Sequence, residues 1–319
     1  MAAGGPTITL SNGIKMPQVG LGTWQSKAGD VKRAVVEAID IGYRLIDTAS
    51  VYGNEEQIGE VIQEAIANGK IKREDLFITT KVRASHLHPD DVIVSLRDSL
   101  KRLRMDYVDL CLAHWPACFT HDMKQFNEEV KVEDTWGGLE QCYKEGLARA
   151  IGVSNWNNEQ IARVLKSGTI PVHNSQLELH LYFPQHSHHD FCKQHNISVT
   201  SYATLGSPGR LEFISSTGTK IDWPMAPPDL EDKNVKNLAE KYKKTPAQVL
   251  LRYAVDRGIA IIPKSVTPSR IRENFEIFDF QLTPDEIKLL ESSGHNQRLF
   301  LQPLMIGHHE DPFKDEREQ

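Results

Sequence analysis

Short apolar or β-branched runs recur along the chain and alternate with stretches in which apolar residues return every three or four positions. The first kind predicts strands over 19–22, 44–48, 76–81, 107–114, 148–154, 174–178, 197–202 and 259–264, eight in all. Between them, "DDVIVSLRDSLKRL" after Pro89, "NEQIARVLKSG" after Asn157 and "TPSRIRENFEIF" read as helices, the last with Thr267 as N-cap and Pro268 at the first helical position. Asn12-Gly13 predicts an opening hairpin, and "TPDEIKLLESSG" an extra helix near the C-terminus. Strict βα alternation of this count predicts a closed (β/α)8 barrel, an α/β architecture, with a tail wrapped outside. An open doubly wound sheet is the second choice. Two connections, after the fourth and seventh strands, are too long for tight turns and in a barrel would border the ligand-binding face.

Composition narrows the class. At 319 residues the chain suits one barrel domain, 1–319, and its 39% hydrophobic and 25% charged residues describe a globular protein with no membrane span. Net charge is −6, with acidic residues dense in "HHEDPFKDEREQ", which argues against nucleic-acid or membrane partners and for a small molecule. Neither a secretory nor a transit pattern opens the chain, so the cytoplasm is the expected compartment. Cys111, Cys118, Cys142 and Cys192 lack C-x-x-C spacing and read as reduced thiols, with no metal site.

The chemistry sits at the strand ends. Asp47 closes the second strand with Tyr52 just beyond, Lys81 closes the third and His114 the fourth. Alone, each has a bland explanation as a turn former, a solvated cation or a packing residue. Successive strand ends of a barrel converge on one mouth, however, and there Lys81 would neutralise Asp47 and serve Tyr52. A Lys ammonium about 4 Å from a phenol, at an effective dielectric of ~20, favours phenolate by roughly 4 kcal/mol. Tyr52 then comes into the range of a general acid, with His114 orienting a carbonyl oxygen. These groups hold no hydride, so a reduction needs a cofactor.

Later strand ends offer a seat for one. Ser154, Asn155 and Gln176 carry groups suited to a carboxamide, and Tyr202 a ring that can stack on a heterocycle. In "IPKSVTPSRIRENFEIF", Lys264, Ser265 and Thr267 precede Arg270, Glu273 and Asn274 at the head of a helix, where gathered cations make sense beside a phosphate. Rival signals fall short: "GLGTWQ" lacks the third glycine of a dinucleotide fingerprint, and "GVSNW" the closing glycine of a hydrolase elbow. The histidines of "QHSHHD" read as a solvated surface cluster.

Three stretches, "GYRLIDTASVYGNEEQIG", "LRMDYVDLCLAHWP" and "IPKSVTPSRIREN", closely resemble the aldo-keto reductases, and the likeness extends over nearly the whole chain. The resemblance implies a monomeric TIM barrel that binds NADPH and reduces aldehydes or ketones, with Tyr52 as proton donor, Asp47 and Lys81 as its tuning pair and His114 orienting the carbonyl. It implies cofactor contacts at Thr23, Ser154, Asn155, Gln176, Tyr202, Lys264, Ser265, Thr267, Arg270, Glu273 and Asn274, with Lys264 and Arg270 on the adenosine 2′-phosphate. Trp24, Trp115 and Phe119 are the expected substrate-pocket residues. Ser175 stands where the family usually has Asn, and Ala203-Thr204 where many members have Ser-Pro; both changes fall near the cofactor. The alternative class is a barrel that binds NADPH in a regulatory or structural role without turnover.

Overall fold

The computed structural model describes residues 3–214 and 220–317. Residues 215–219, inside the second long connection, lie outside that description. A hairpin of β1 (Thr7–Thr9) and β2 (Lys15–Pro17), in register through Ile8 and Met16, precedes eight parallel strands. These are β3 (Gly20–Gly22), β4 (Leu45–Asp47), β5 (Phe77–Val82), β6 (Val108–Ala113), β7 (Ala148–Ser154), β8 (Asn174–Glu178), β9 (Ser198–Tyr202) and β10 (Ala260–Ile261). Bridges Val19↔Ile261 and Gly22↔Lys264 join the last strand to the first and close the barrel. Gly22 is obligatory at this seam, because a Cβ there would lie 2.4 Å from the Ile262 carbonyl oxygen.

Helices α1 (Ala28–Ile41), α2 (Glu55–Ala67), α3 (Pro89–Leu103), α4 (Val132–Lys144), α5 (Asn158–Ser167) and α6 (His186–Gln194) each follow a strand. Strict alternation then breaks. Both α7 (Lys233–Tyr242) and α8 (Pro246–Asp256) separate β9 from β10, and α9 (Pro268–Phe275) and α10 (Pro284–Glu291) follow. The predicted eighth strand shrinks to two residues because Pro263 has no N–H to continue the ladder. The predicted extra helix is α10, whose Thr283 accepts from the Glu286 N–H in a capping box.

Two-residue alternation sorts each strand. Leu45, Phe77, Leu110, Leu112 and Ala150 turn inward onto Leu10 and Met16 of the hairpin, while Ile46, Ile78, Cys111 and Ile151 turn outward under the helices. The inward parity, continued to the C-terminal strand ends, carries Asp47, Lys81, His114, Ser154, Gln176 and Tyr202. The same rule that builds the barrel core thus gathers polar groups at its mouth. All four cysteines are buried and free. Among the described residues no helix is long and apolar enough to cross a membrane.

Candidate active site

Asp47 and Lys81 form a buried ion pair, Nζ to Oδ1 2.5 Å, with both side chains at most 3% exposed. The remaining polar capacity of the pair is satisfied as well: Gln176 Nε2 donates to Asp47 Oδ2 at 2.8 Å, and Lys81 Nζ donates to the Thr48 carbonyl at 2.9 Å. Thr23 Oγ1 donates to the Asp47 carbonyl at 2.9 Å. Tyr52 ends a 3-10 turn, Ser50–Tyr52, that Gly53 closes in the left-handed region, and this brings its hydroxyl to 3.3 Å from Lys81 Nζ. The His114 ring stands edge-on to the Tyr52 ring with centroids 5.7 Å apart. All four predicted residues therefore meet at one point.

The electrostatics correct one expectation. Tyr52 is held well above its ordinary value, first by burial and then by the Asp47 carboxylate, rather than drawn down by Lys81. Lys81 spends its charge on the closer Asp47, and burial pulls the ammonium below its usual range, opposed by Asp47 and then by Glu55. Burial, then the Lys81 charge, holds His114 well below 6.5 and hence neutral. The mouth carries a phenol and a neutral imidazole, two uncharged donors beside one compensated ion pair.

These groups open into a cavity of about 750 Å³. Its lining includes Trp24, Tyr52, His114 and Trp115 together with Thr23, Ser154, Asn155, Gln176 and Tyr202, and Lys264, Ser265, Arg270, Glu273 and Asn274 from the seam and α9. Asn155, in the left-handed region at φ 63°, links two of these residues: its amide donates to the His114 carbonyl at 2.9 Å and its Oδ1 accepts from Tyr202 OH at 2.6 Å. Lys264 and Arg270 are exposed at the head of α9. Glu273 is occupied by the structure itself, accepting from Thr245 Oγ1 at 2.6 Å and so tying α9 to the N-cap of α8.

Three predicted residues do not line the cavity, and of these Lys81 is buried directly against Asp47 and Tyr52, which do. Thr267 occupies the N-cap position of α9 but its side chain makes no capping bond; instead its N–H donates to Ser265 Oγ at 3.1 Å. Phe119 packs on Phe126 and His308 and lines a separate depression with Cys118 and His121. The sequence pattern missed Phe213, Trp223 and Phe300, which enclose Trp24 from the second long connection and the tail. It also missed Asn54, whose amide donates to the Thr23 carbonyl while its Oδ1 accepts from Thr48, bracing the Tyr52 turn. An Asn directly after a left-handed Gly was the available clue.

The family departures resolve differently. Ser175 points outward and hydrogen-bonds His188 Nε2 at 2.9 Å, away from the cavity. His188 is buried there, so the histidine run is not uniformly solvated as expected. Ala203 does line the cavity, at φ 56°, while Thr204 Oγ1 bonds Ser201 Oγ at 2.6 Å. Among the described residues one group could suggest a metal, Glu128 with His308 and His309. His308 is already committed there, with one nitrogen 3.1 Å from the Cys118 carbonyl and the other accepting the Glu310 N–H at 2.9 Å.

Residues 18–294 match the model of the aldo/keto reductase family. The chain belongs to that family. It is 41% identical to aldo-keto reductase family 1 member A1 of Gallus gallus, over 99% of both chains, and 42% identical to member A1-A of Danio rerio, over 94% of this chain and 93% of the other. Among solved structures, an aldose reductase from Schistosoma japonicum superposes with a TM-score of 0.88 at 38% identity, covering 98% of this chain and 99% of that one. A Bombyx mori aldo-keto reductase, solved in complex with NADP, gives 0.88 at 37% over the same shares. Family membership makes the chain an oxidoreductase of carbonyl groups.

Proposed function

We propose that the protein reduces aldehydes and ketones to alcohols at the expense of NADPH, with Tyr52 delivering the proton. The observation that carries this reading is the convergence of the Asp47–Lys81–Tyr52 chain and His114 on a cavity that Lys264 and Arg270 also line. The residues present fit the cofactor. Lys264 and Arg270 suit the 2′-phosphate, Tyr202 offers an aromatic face, and Ser154, Asn155 and Gln176 offer polar groups for a carboxamide. Such a fit accords with the NADP in the related Bombyx mori structure. When bound, NADPH supplies the hydride.

The chain's own residues do the rest. His114, neutral, donates to the carbonyl oxygen and orients it beside Tyr52. Tyr52, protonated, gives its phenolic proton to that oxygen as negative charge develops there, and Lys81 Nζ, 3.3 Å away, stabilises the phenolate that remains. Asp47, gripped by Gln176 and Thr23, keeps Lys81 in place. Trp24 and Trp115 bound the substrate end and exclude water. The protein acts as a cytoplasmic monomer, folded as one barrel domain over 1–319.

Product analysis tests this: incubation with NADPH and an aromatic aldehyde should yield the alcohol and NADP+ in equal amounts. Oxidation of NADPH without alcohol, or no reaction with several aldehydes and ketones, rejects it.

A further inference from the structure

Glu178 ends β8 two residues beyond Gln176, on the same inward parity, and is fully buried. The proton-transfer chemistry makes no use of it. Its carboxylate nevertheless collects several partners: Oε1 accepts the Leu299 N–H at 2.5 Å and lies 3.0 Å from His180 Nε2, while Oε2 accepts the Phe300 N–H at 2.9 Å and faces Arg298 Nη1 at 3.9 Å. The other nitrogen of His180 faces Asp229 Oδ2 at 3.3 Å, where the connection that leaves β9 reaches α7. Burial alone would lower the His180 pKa, but the adjoining Asp229 and Glu178 carboxylates raise it to about 9, which favours the imidazolium between them.

Burying this many charges carries a desolvation cost that offsets much of their mutual attraction. What it does fix is the backbone at Leu299 and Phe300. The Phe300 ring lies 5.8 Å from Trp24, 5.5 Å from Tyr202 and 5.1 Å from Trp223, centroid to centroid. Those three rings come from the end of β9, the connection after β3 and the connection after β9, and Phe300 is the wall they share. Resting on the carbonyl-reduction reading, we propose that Glu178 is a positioning residue for substrate recognition: by holding the Leu299 and Phe300 amides it fixes Phe300, so that a bulky apolar aldehyde meets a preformed aromatic wall. Glu178 itself touches no substrate. A small aldehyde, which reaches Tyr52 and His114 without leaning on Phe300, depends on it far less.

The test is steady-state kinetics of the wild type, Glu178→Gln, Phe300→Ala and the double variant with 2-naphthaldehyde and with propionaldehyde. Glu178→Gln should raise KM for naphthaldehyde about tenfold and for propionaldehyde less than about threefold, with kcat changing less than KM. In the Phe300→Ala background the same substitution should add less than about twofold to the naphthaldehyde KM, because its effect travels through that ring. Equal KM changes for both aldehydes, or additive effects of the two substitutions, overturn the positioning role while leaving carbonyl reduction standing. Should Glu178→Gln not fold, His180→Gln in the same cycle carries the test, and additivity there overturns the proposal equally. A wild type that turns over neither aldehyde rejects the reductase reading, and this proposal with it.

Discussion

Asp47 is tolerated at the end of a buried strand because every polar site around it is matched, with Lys81 and Gln176 on its two carboxylate oxygens. Removing one partner exposes the cost. Lys81→Met leaves that carboxylate buried without its cation and should destabilise the fold by about 3 kcal/mol, measured by urea denaturation, with kcat falling at least ~100-fold. An unchanged denaturation midpoint would show that the pair is not buried as described. On the proposed reading, Lys264 and Arg270, which line the same cavity, are phosphate ligands rather than structural cations. The double change Lys264→Met with Arg270→Met should weaken NADPH binding by roughly 10- to 100-fold and NADH binding by less than about threefold, read by fluorescence titration. Equal losses for both cofactors would contradict a 2′-phosphate site.

At the scale of elements, much of the site was legible because strand parity both builds the core and sends its last polar residues to the mouth. Asp47, Lys81, His114 and Gln176 could be placed from the sequence for that reason. Thr267 and Phe119 could not, since their roles turn on loop geometry: Thr267 turns its N–H back to Ser265, and Phe119 is captured by Phe126 and His308. Phe213, Trp223 and Phe300 belong to connections with no period to read, and only tertiary packing brings them to Trp24. The tail and the connection after β9 are pinned at Glu178, His180 and Asp229, with Arg298 beside them and Arg210 and Tyr202 within reach of the Glu178 charge. His180 has a folded-state pKa raised from 6.5 to about 9, so its stabilising contribution is fully present below pH ~6.5 and is lost as pH rises through 9. The wild type should therefore lose on the order of 3 kcal/mol more stability than His180→Asn between pH 7 and 10. Parallel pH profiles for the two proteins would remove His180 as the cause.

For the whole molecule, the closed barrel makes these local devices cooperate. The seam at Gly22 and Lys264 ends beside the same cavity that Tyr52 enters from β4 and that Phe300 enters from the tail. A rigid sheet thus sets the reacting groups, while the long connections and tail shape what reaches them. Both the fold and the reaction class follow from the strand ends; the aromatic enclosure of Trp24 by Phe213, Trp223 and Phe300 is encoded by no single stretch of sequence, and on the proposed reading it sets the preference among carbonyl compounds. The central claim is that Tyr52 gives the proton, and Tyr52→Phe tests it most directly because the change removes one oxygen and nothing else. With NADPH and an aromatic aldehyde, the variant should bind NADPH within about threefold of the wild type yet lose at least ~100-fold in kcat. A variant that binds NADPH and still turns over within about threefold of the wild type would place the proton donor elsewhere and contradict the account.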